Sequence, residues 1–161
     1  MLDLRPTQAG DGPALHAMLS DPEVARWLRP AGVTGPFSAA ESEGWAARDA
    51  GHWAAHGFGP WLVSDGDVAV GHGGLRHTVA DGRGEVEIGW FVARDRWGEG
   101  IATEIGRRAL TLAADWGITS VVAFTRDDNA ASERVMIKLG MTFEKHFGHA
   151  GLPHVLYRVL V

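Results

Sequence analysis

Along Val86-Glu87-Ile88-Gly89-Trp90-Phe91-Val92 the side chains are mostly β-branched or aromatic, whereas Ile101, Ile105, Ala109, Leu112 and Trp116 recur at three- and four-residue steps. The change of period predicts a strand, a polar loop over residues 94–100 and an amphipathic helix. Upstream, Leu2 to Pro6 reads as a short strand and residues 12–19 as a helix with Pro13 at its start. Glu23 to Leu28 makes a further turn or two, with Val24, Trp27 and Leu28 as its apolar side, and Ser38 opens a helix to about Ala54. The pattern then turns strand-like. Trp61 to Ser64 and Val68 to His77 flank the tight-turn sequence Asp65-Gly66-Asp67, and Asp81-Gly82-Arg83-Gly84 leads into the strand Glu85 to Val92. After the central helix, Ser120 to Thr125 is a strand, Asn129 to Leu139 a helix stopped by Gly140, and Met141 to Phe147 and Pro153 to Val161 are strands. A mixed α/β sheet covered by helices is the natural packing of this order.

Gly98 and Gly100 stand where the chain leaves the strand and enters the helix. A helix start presents N–H groups without intrahelical partners and the positive end of the dipole, and glycine lets a ligand approach the main chain. Residues 97–103 therefore predict an anion cradle suited to a phosphate. A dinucleotide fold is the first rival. It requires a third glycine where Thr103 stands, and an acid to bind ribose near Thr119, where none occurs. A P-loop fails as well, because no Gly-Lys-Ser/Thr sequence is present.

Composition narrows the class. The chain has 161 residues, enough for one sizeable core, and residues 1–161 are expected to form a single domain. No apolar run approaches the ~18 residues of a membrane helix, and the N-terminus has no signal-peptide pattern. With no cysteine there are no disulfides and no thiolate chemistry, which fits a cytoplasmic protein. The net charge of -5 argues against a nucleic-acid partner. Locally, Arg94, Arg96, Arg107 and Arg108 predict a basic patch able to hold an anionic cofactor.

Three segments together resemble the GNAT superfamily of acetyl-CoA-dependent N-acetyltransferases, most closely its ribosomal-protein-acetylase (Rim-type) branch. They are Glu87-Ile88-Gly89-Trp90-Phe91-Val92, Trp97-Gly98-Glu99-Gly100-Ile101-Ala102-Thr103-Glu104, and Asn129-Ala130-Ala131-Ser132-Glu133-Arg134 running into Lys138-Leu139-Gly140-Met141. The resemblance implies a central, mostly antiparallel sheet of about seven strands with about four helices, splayed between the fourth and fifth strands. It also implies acetyl-CoA as donor, a primary amine of a small molecule or protein N-terminus as acceptor, and direct attack in a ternary complex.

The same resemblance assigns residues. Backbone amides of Trp97, Gly98, Glu99, Gly100, Ile101, Ala102 and Thr103 would bind the coenzyme A pyrophosphate. The pantetheine arm would lie along Phe91 and Val92, with the Val92 amide polarising the thioester carbonyl. A bulge in that strand, for which Gly89 is a plausible concession, would open the splay. Glu87 stands where several relatives carry a base acting through water, with Glu85 ranked second. Many relatives place a tyrosine acid where this chain has Met136. The Rim-type alternative is Ser132, with Asn129 binding the pantetheine amides. As plain helix-start residues, Asn129 would cap and Ser132 occupy the first turn. A non-catalytic acyl-CoA-binding or sensor domain is the competing function, made credible by Met136.

For the acceptor, Trp27 and Phe37 are expected to form the variable wall, with Glu41, Glu43 and Glu87 as acidic groups suited to a cationic amine. His72 and His77 on the third strand could face the acceptor pocket, with the surface the preferred expectation for both. The histidine spacings of His52 and His56, and of His146, His149 and His154, lack the acid or cysteine that a metal site would add, so no metal is expected. Family members often dimerise, so a homodimer is admitted without an identifiable interface.

Overall fold

The computed structural model describes residues 1–161. The strands β1 (Leu2–Pro6), β2 (Pro60–Asp65), β3 (Val68–Ala80), β4 (Arg83–Val92), β5 (Ser120–Arg126), β6 (Thr142–His149) and β7 (Leu152–Leu160) form one seven-stranded sheet in the order β1-β2-β3-β4-β5-β7-β6. Helices α1 (Gly12–Leu19), α2 (Pro22–Ala25) and α3 (Ala39–His56) precede β2, α4 (Ile101–Asp115) links β4 to β5, and α5 (Ala130–Lys138) links β5 to β6. Every neighbouring pair is antiparallel except β4 and β5, which run parallel and meet at a single register position, Glu87 opposite Val122. This is the expected splayed α/β sheet, with the one-turn α2 as an additional helix.

The expected bulge in β4 is not found on its β3 side. Register runs without interruption from Gly71 opposite Val92 to Ala80 opposite Arg83. Strand divergence alone therefore opens the sheet beyond Glu87. Two hairpins are tighter than expected. Asp81 (φ 49) and Gly82 (φ 76) form a two-residue turn, as do Ala150 (φ 52) and Gly151 (φ 77), so β4 starts at Arg83 and β6 runs on to His149.

Side-chain alternation divides the core between two faces. On one, Phe91 packs with Leu15, Leu19, Val24 and Ala46 from the first three helices. On the other, Leu75 and Ile88 meet Ala109 and Ala113 of α4, and Met136 and Leu139 of α5 close over Ala123 and Tyr157. The α3 helix has a polar inner face, since its buried residues are Ser42, Ala46 and Asp49.

Candidate active site

One cavity of about 840 Å³ runs from the start of α4, through the splay between β4 and β5, to the wall formed by α2, α3 and the loop before α3. At the α4 end, Gly98 (φ 81) and Gly100 (φ 82) are left-handed, which accounts for glycine at both positions. A Cβ on either would meet nothing of the chain, so the space above them is open. Gly100 is the N-cap and supplies no side-chain cap; Glu104 N–H makes the first bond back, to the Gly100 carbonyl. The amides of Gly98, Glu99, Gly100, Ile101, Ala102 and Thr103 consequently donate to no acceptor in the chain.

Trp97 differs from its neighbours. Its amide donates to the Arg94 carbonyl at 3.3 Å and its indole Nε1 donates to the Val92 carbonyl at 2.9 Å. The row of unpaired amides thus begins at Gly98, and Trp97 instead ties the loop to the end of β4. The basic patch is also largely neutralised. Arg96 pairs with Glu99 (2.6 Å) and Asp65 (2.9 Å), Arg108 with Glu104 (2.8 Å), and Arg94 approaches Asp21 at 3.9 Å, leaving Arg107 without an acidic partner. Positive potential at the cradle comes from the main chain.

Backbone direction along β4 decides which groups face the splay. Ala93 N–H donates to Val70 of β3, so by alternation the amides of Phe91 and Gly89 point to β3, and those of Val92 and Trp90 point away from it, toward β5. Phe91, expected on the cofactor path, has its backbone committed to β3 and its ring packed in the core at 7% exposure. Past the cavity's midpoint, Asn129 caps α5. Its Oδ1 accepts from the Ser132 amide (3.2 Å), and its Nδ2 donates to Thr125 Oγ1 (3.1 Å). Ser132 lines the cavity, and its hydroxyl has no partner in the chain. Met136 is 1% exposed, and Tyr157 bonds to Glu133 away from the cavity.

Glu87 lies on the α1–α3 face, 4% exposed. Oε1 accepts from Arg76 Nη2 at 2.9 Å and Nε at 3.1 Å, whereas Oε2 is buried without a hydrogen-bond partner. Burial raises the carboxyl's pKa above the usual range, opposed by Arg76 and more weakly by His154. Glu85 is tied in a different network, bidentate to Arg158 at 2.9 and 3.0 Å, which holds its pKa down and removes it as the second candidate base.

The far end of the cavity, expected to take the acceptor, is aromatic. Trp27 and Phe37 both line it, each covered by guanidinium: Arg26 and Arg126 stand 4.5 and 5.2 Å from the Trp27 ring, and Arg29 stands 3.8 Å from the Phe37 ring. Glu41 and Glu43 are not in the wall; Glu41 is spent on Arg29 and the Ser38 cap. The acids that do face the cavity are Glu87 and Asp49, and Asp49 is bonded to His72 at 2.7 Å. His72 is buried rather than surface-placed, whereas His77 is exposed as expected. Only the i, i+3 relation of Asp49 to the buried Ala46 pointed inward from sequence. His52 uses both ring nitrogens, on the Phe58 carbonyl (2.8 Å) and the His77 amide (2.9 Å), and no group of three His, Asp or Glu is arranged to hold a metal ion.

An open row of amides at a helix start, a sheet parted beside it and an aromatic pocket beyond share one cavity, the arrangement of an enzyme that holds an anionic ligand next to a second pocket. Residues 1–142 match the family model "Acetyltransferase (GNAT) domain", and the chain belongs to this family of acetyltransferases. YkkB of Bacillus subtilis (strain 168) is 26% identical over 96% of this chain and 89% of its own length. In fold, the chain is similar to the ribosomal-protein-S5-alanine acetyltransferase of Vibrio fischeri (16% identity, TM-score 0.76, covering 99% of this chain and 92% of that one). It is also similar to the aminoglycoside acetyltransferase AAC(6')-Ib in complex with paromomycin and acetyl-CoA (17% identity, TM-score 0.76, covering 99% and 93%).

Proposed function

We propose that the enzyme transfers acetyl from acetyl-CoA to a primary amine by direct attack within a ternary complex. The observation that carries this reading is the run of unpaired amides from Gly98 to Thr103 opening into the same cavity as the splay and the aromatic pocket that holds Glu87 and Asp49. A pyrophosphate on those amides directs the pantetheine arm into the splay, where Trp90 and Val92 offer strand-edge groups and the Val92 amide polarises the thioester carbonyl. Asn129 has one amide hydrogen left for the arm. Ser132, with its hydroxyl free, hydrogen-bonds the departing thiolate.

An ammonium of pKa about 8–10.4 must lose a proton before it attacks. Glu87, which lines the cavity and whose buried Oε2 has no partner in the chain, supports the reading of a base that acts through water. Trp27 and Phe37 form the side of the pocket that selects the acceptor. The comparison protein that binds paromomycin with acetyl-CoA supports an amine acceptor as a class.

Calorimetry with acetyl-CoA tests the donor assignment. The wild type binds, and Gly100→Trp, which fills the space above the cradle, weakens binding at least tenfold; no binding by the wild type refutes the reading. Thiol release across an amine panel then separates an enzyme from a sensor that only binds acyl-CoA.

A further inference from the structure

Within the acceptor wall, the buried His72–Asp49 pair is a titratable group that the reaction as described leaves unused. His72 on β3 is 4% exposed and Asp49 on α3 is 5% exposed. His72 Nε2 meets Asp49 Oδ2 at 2.7 Å. A carboxylate can only accept, so Nε2 carries the hydrogen, and in the neutral ring Nδ1 keeps its lone pair. Nδ1 has no partner in the chain, and Glu87 Oε2 is the only unpartnered side-chain atom sealed from solvent, so Nδ1 is open to the cavity. The ring is held in place by stacking on Phe91 (4.8 Å, 23°) and by the edge contact with Trp45 (6.0 Å, 86°).

Register locates this lone pair. His72 is opposite Phe91, the residue before Val92, while Arg76 is opposite Glu87. All four side chains project from one face, and the paired Gly74 and Gly89 lie between the two couples, so the floor between His72 and Glu87 is bare backbone. From Glu87 to Val92 the strand extends ~17 Å, and the Glu87 carboxylate covers part of that distance by leaning over Gly89. The imidazole therefore borders the end of the floor nearest the Val92 amide, and the carboxylate borders the far end.

We propose that His72 takes the proton from the acceptor nitrogen during attack on the thioester, and that Asp49 is the positioning residue that fixes its tautomer and balances the imidazolium that forms. The inference rests on the acetyl-transfer reading above. An ammonium gives one proton to Nδ1, and the freed lone pair forms the C–N bond. The C–S bond breaks, the second nitrogen proton passes to the thiolate, and His72 returns its proton to solvent. One amide, one thiol and one proton result from one ammonium and one thioester. The ionisable groups on the elements around His72 are Asp49, Arg48 and His52 of α3, Asp11 with its partner Arg5, Arg76 of β3 and Glu87 of β4. Glu87, with Oε1 on Arg76 and Oε2 sealed from solvent, borders the far end of the glycine floor without contacting the nitrogen's proton.

The test is thiol release with acetyl-CoA and 2-phenylethylamine, spermidine or an alanine-initiated hexapeptide, from pH 5.5 to 9.5, alongside acetyl-CoA calorimetry. His72→Gln is expected to lower kcat about 100-fold or more and to abolish the acidic limb of kcat/KM, and Asp49→Asn to lower kcat about tenfold and displace that limb. Both should keep the acetyl-CoA Kd within about threefold, since the cradle lies beyond the splay. Glu87→Gln should keep the limb. The inference is overturned by His72→Gln with an unchanged rate or limb, or by loss of the limb in Glu87→Gln alone, and in either case acetyl transfer stands. No thiol release by the wild type overturns both. If His72→Gln does not bind acetyl-CoA, nitrogen NMR of the wild-type ring decides: an Nε2–H tautomer supports the assignment, and an Nδ1–H tautomer overturns it.

Discussion

Replacing Glu87 by Gln should stabilise the protein while impairing it. The carboxylate has given up nearly all of its water, and Oε2 has no partner. An unsatisfied buried polar atom costs about 1–3 kcal/mol, and more when charged. Against this stands the ion pair with Arg76, whose side chain is 43% exposed and can rehydrate, so losing its charged partner costs only about 0.5–1 kcal/mol. The two sides of this pair gain unequally: Arg76 profits from its neighbour, and Glu87 pays the larger desolvation. Glutamine keeps the shape and one acceptor for Arg76 but carries no charge, so the group left without a partner at the Oε2 position is a neutral amide nitrogen instead of an ionised oxygen, and the gain is the charged part of the penalty. The net gain is about 1–2 kcal/mol at pH 7, or roughly 2–8 °C in Tm for a domain of this size. The sign with pH follows from the raised carboxyl. Folded Glu87 binds its proton more tightly than the unfolded chain, so its contribution is most favourable below about pH 4.3 and is lost as pH rises through the folded value. The advantage of Glu87→Gln should therefore shrink as pH falls. Thermal unfolding by circular dichroism across pH 4 to 8 measures both. A variant that melts below the wild type at pH 7, or a gap independent of pH, would refute the reasoning.

Gly100→Ala should destabilise by about 1–2 kcal/mol, because φ 82 is left-handed, and should raise the acetyl-CoA Kd about tenfold where its methyl meets the ligand, both readable by melting and calorimetry. Asn129→Ala removes the α5 cap and the bond to Thr125, for about 1 kcal/mol of stability, and is expected to weaken acetyl-CoA binding as well; unchanged binding would confine Asn129 to capping. Arg158→Met unlinks Glu85 and Glu144, whose carboxyls it holds below the usual range. Its cost, about 2–3 kcal/mol at neutral pH, should be present above about pH 4.3 and fade as pH falls through the depressed values, as followed by denaturant midpoints.

The cradle was legible because its causes are local. Two glycines and a helix start within a few residues determine where amides go unpaired, and the Asn129 cap follows from the same short-range chemistry. The basic patch misled because charge pairing is not local: Arg96 finds Asp65, at the end of β2, as readily as its neighbour Glu99. Hairpin ends were misplaced at Asp81-Gly82 and Ala150-Gly151, where the chain accepts positive φ to keep long strands paired. Trp97 read as part of the cradle, yet the tertiary course of β4 places the Val92 carbonyl within its indole's reach.

Periodicity and turn chemistry by themselves determined the elements, the sheet-and-helix class and the row of unpaired amides, because each is set by residues a few positions apart. The tertiary structure alone decided the far end of the cavity. Asp49 and His72 are separated by the β2 strand and two turns, and only the packing of α3 against β3 brings them to 2.7 Å. The fate of each Glu87 oxygen depends likewise on Arg76 standing opposite in register, and on a sheet that parts one strand away.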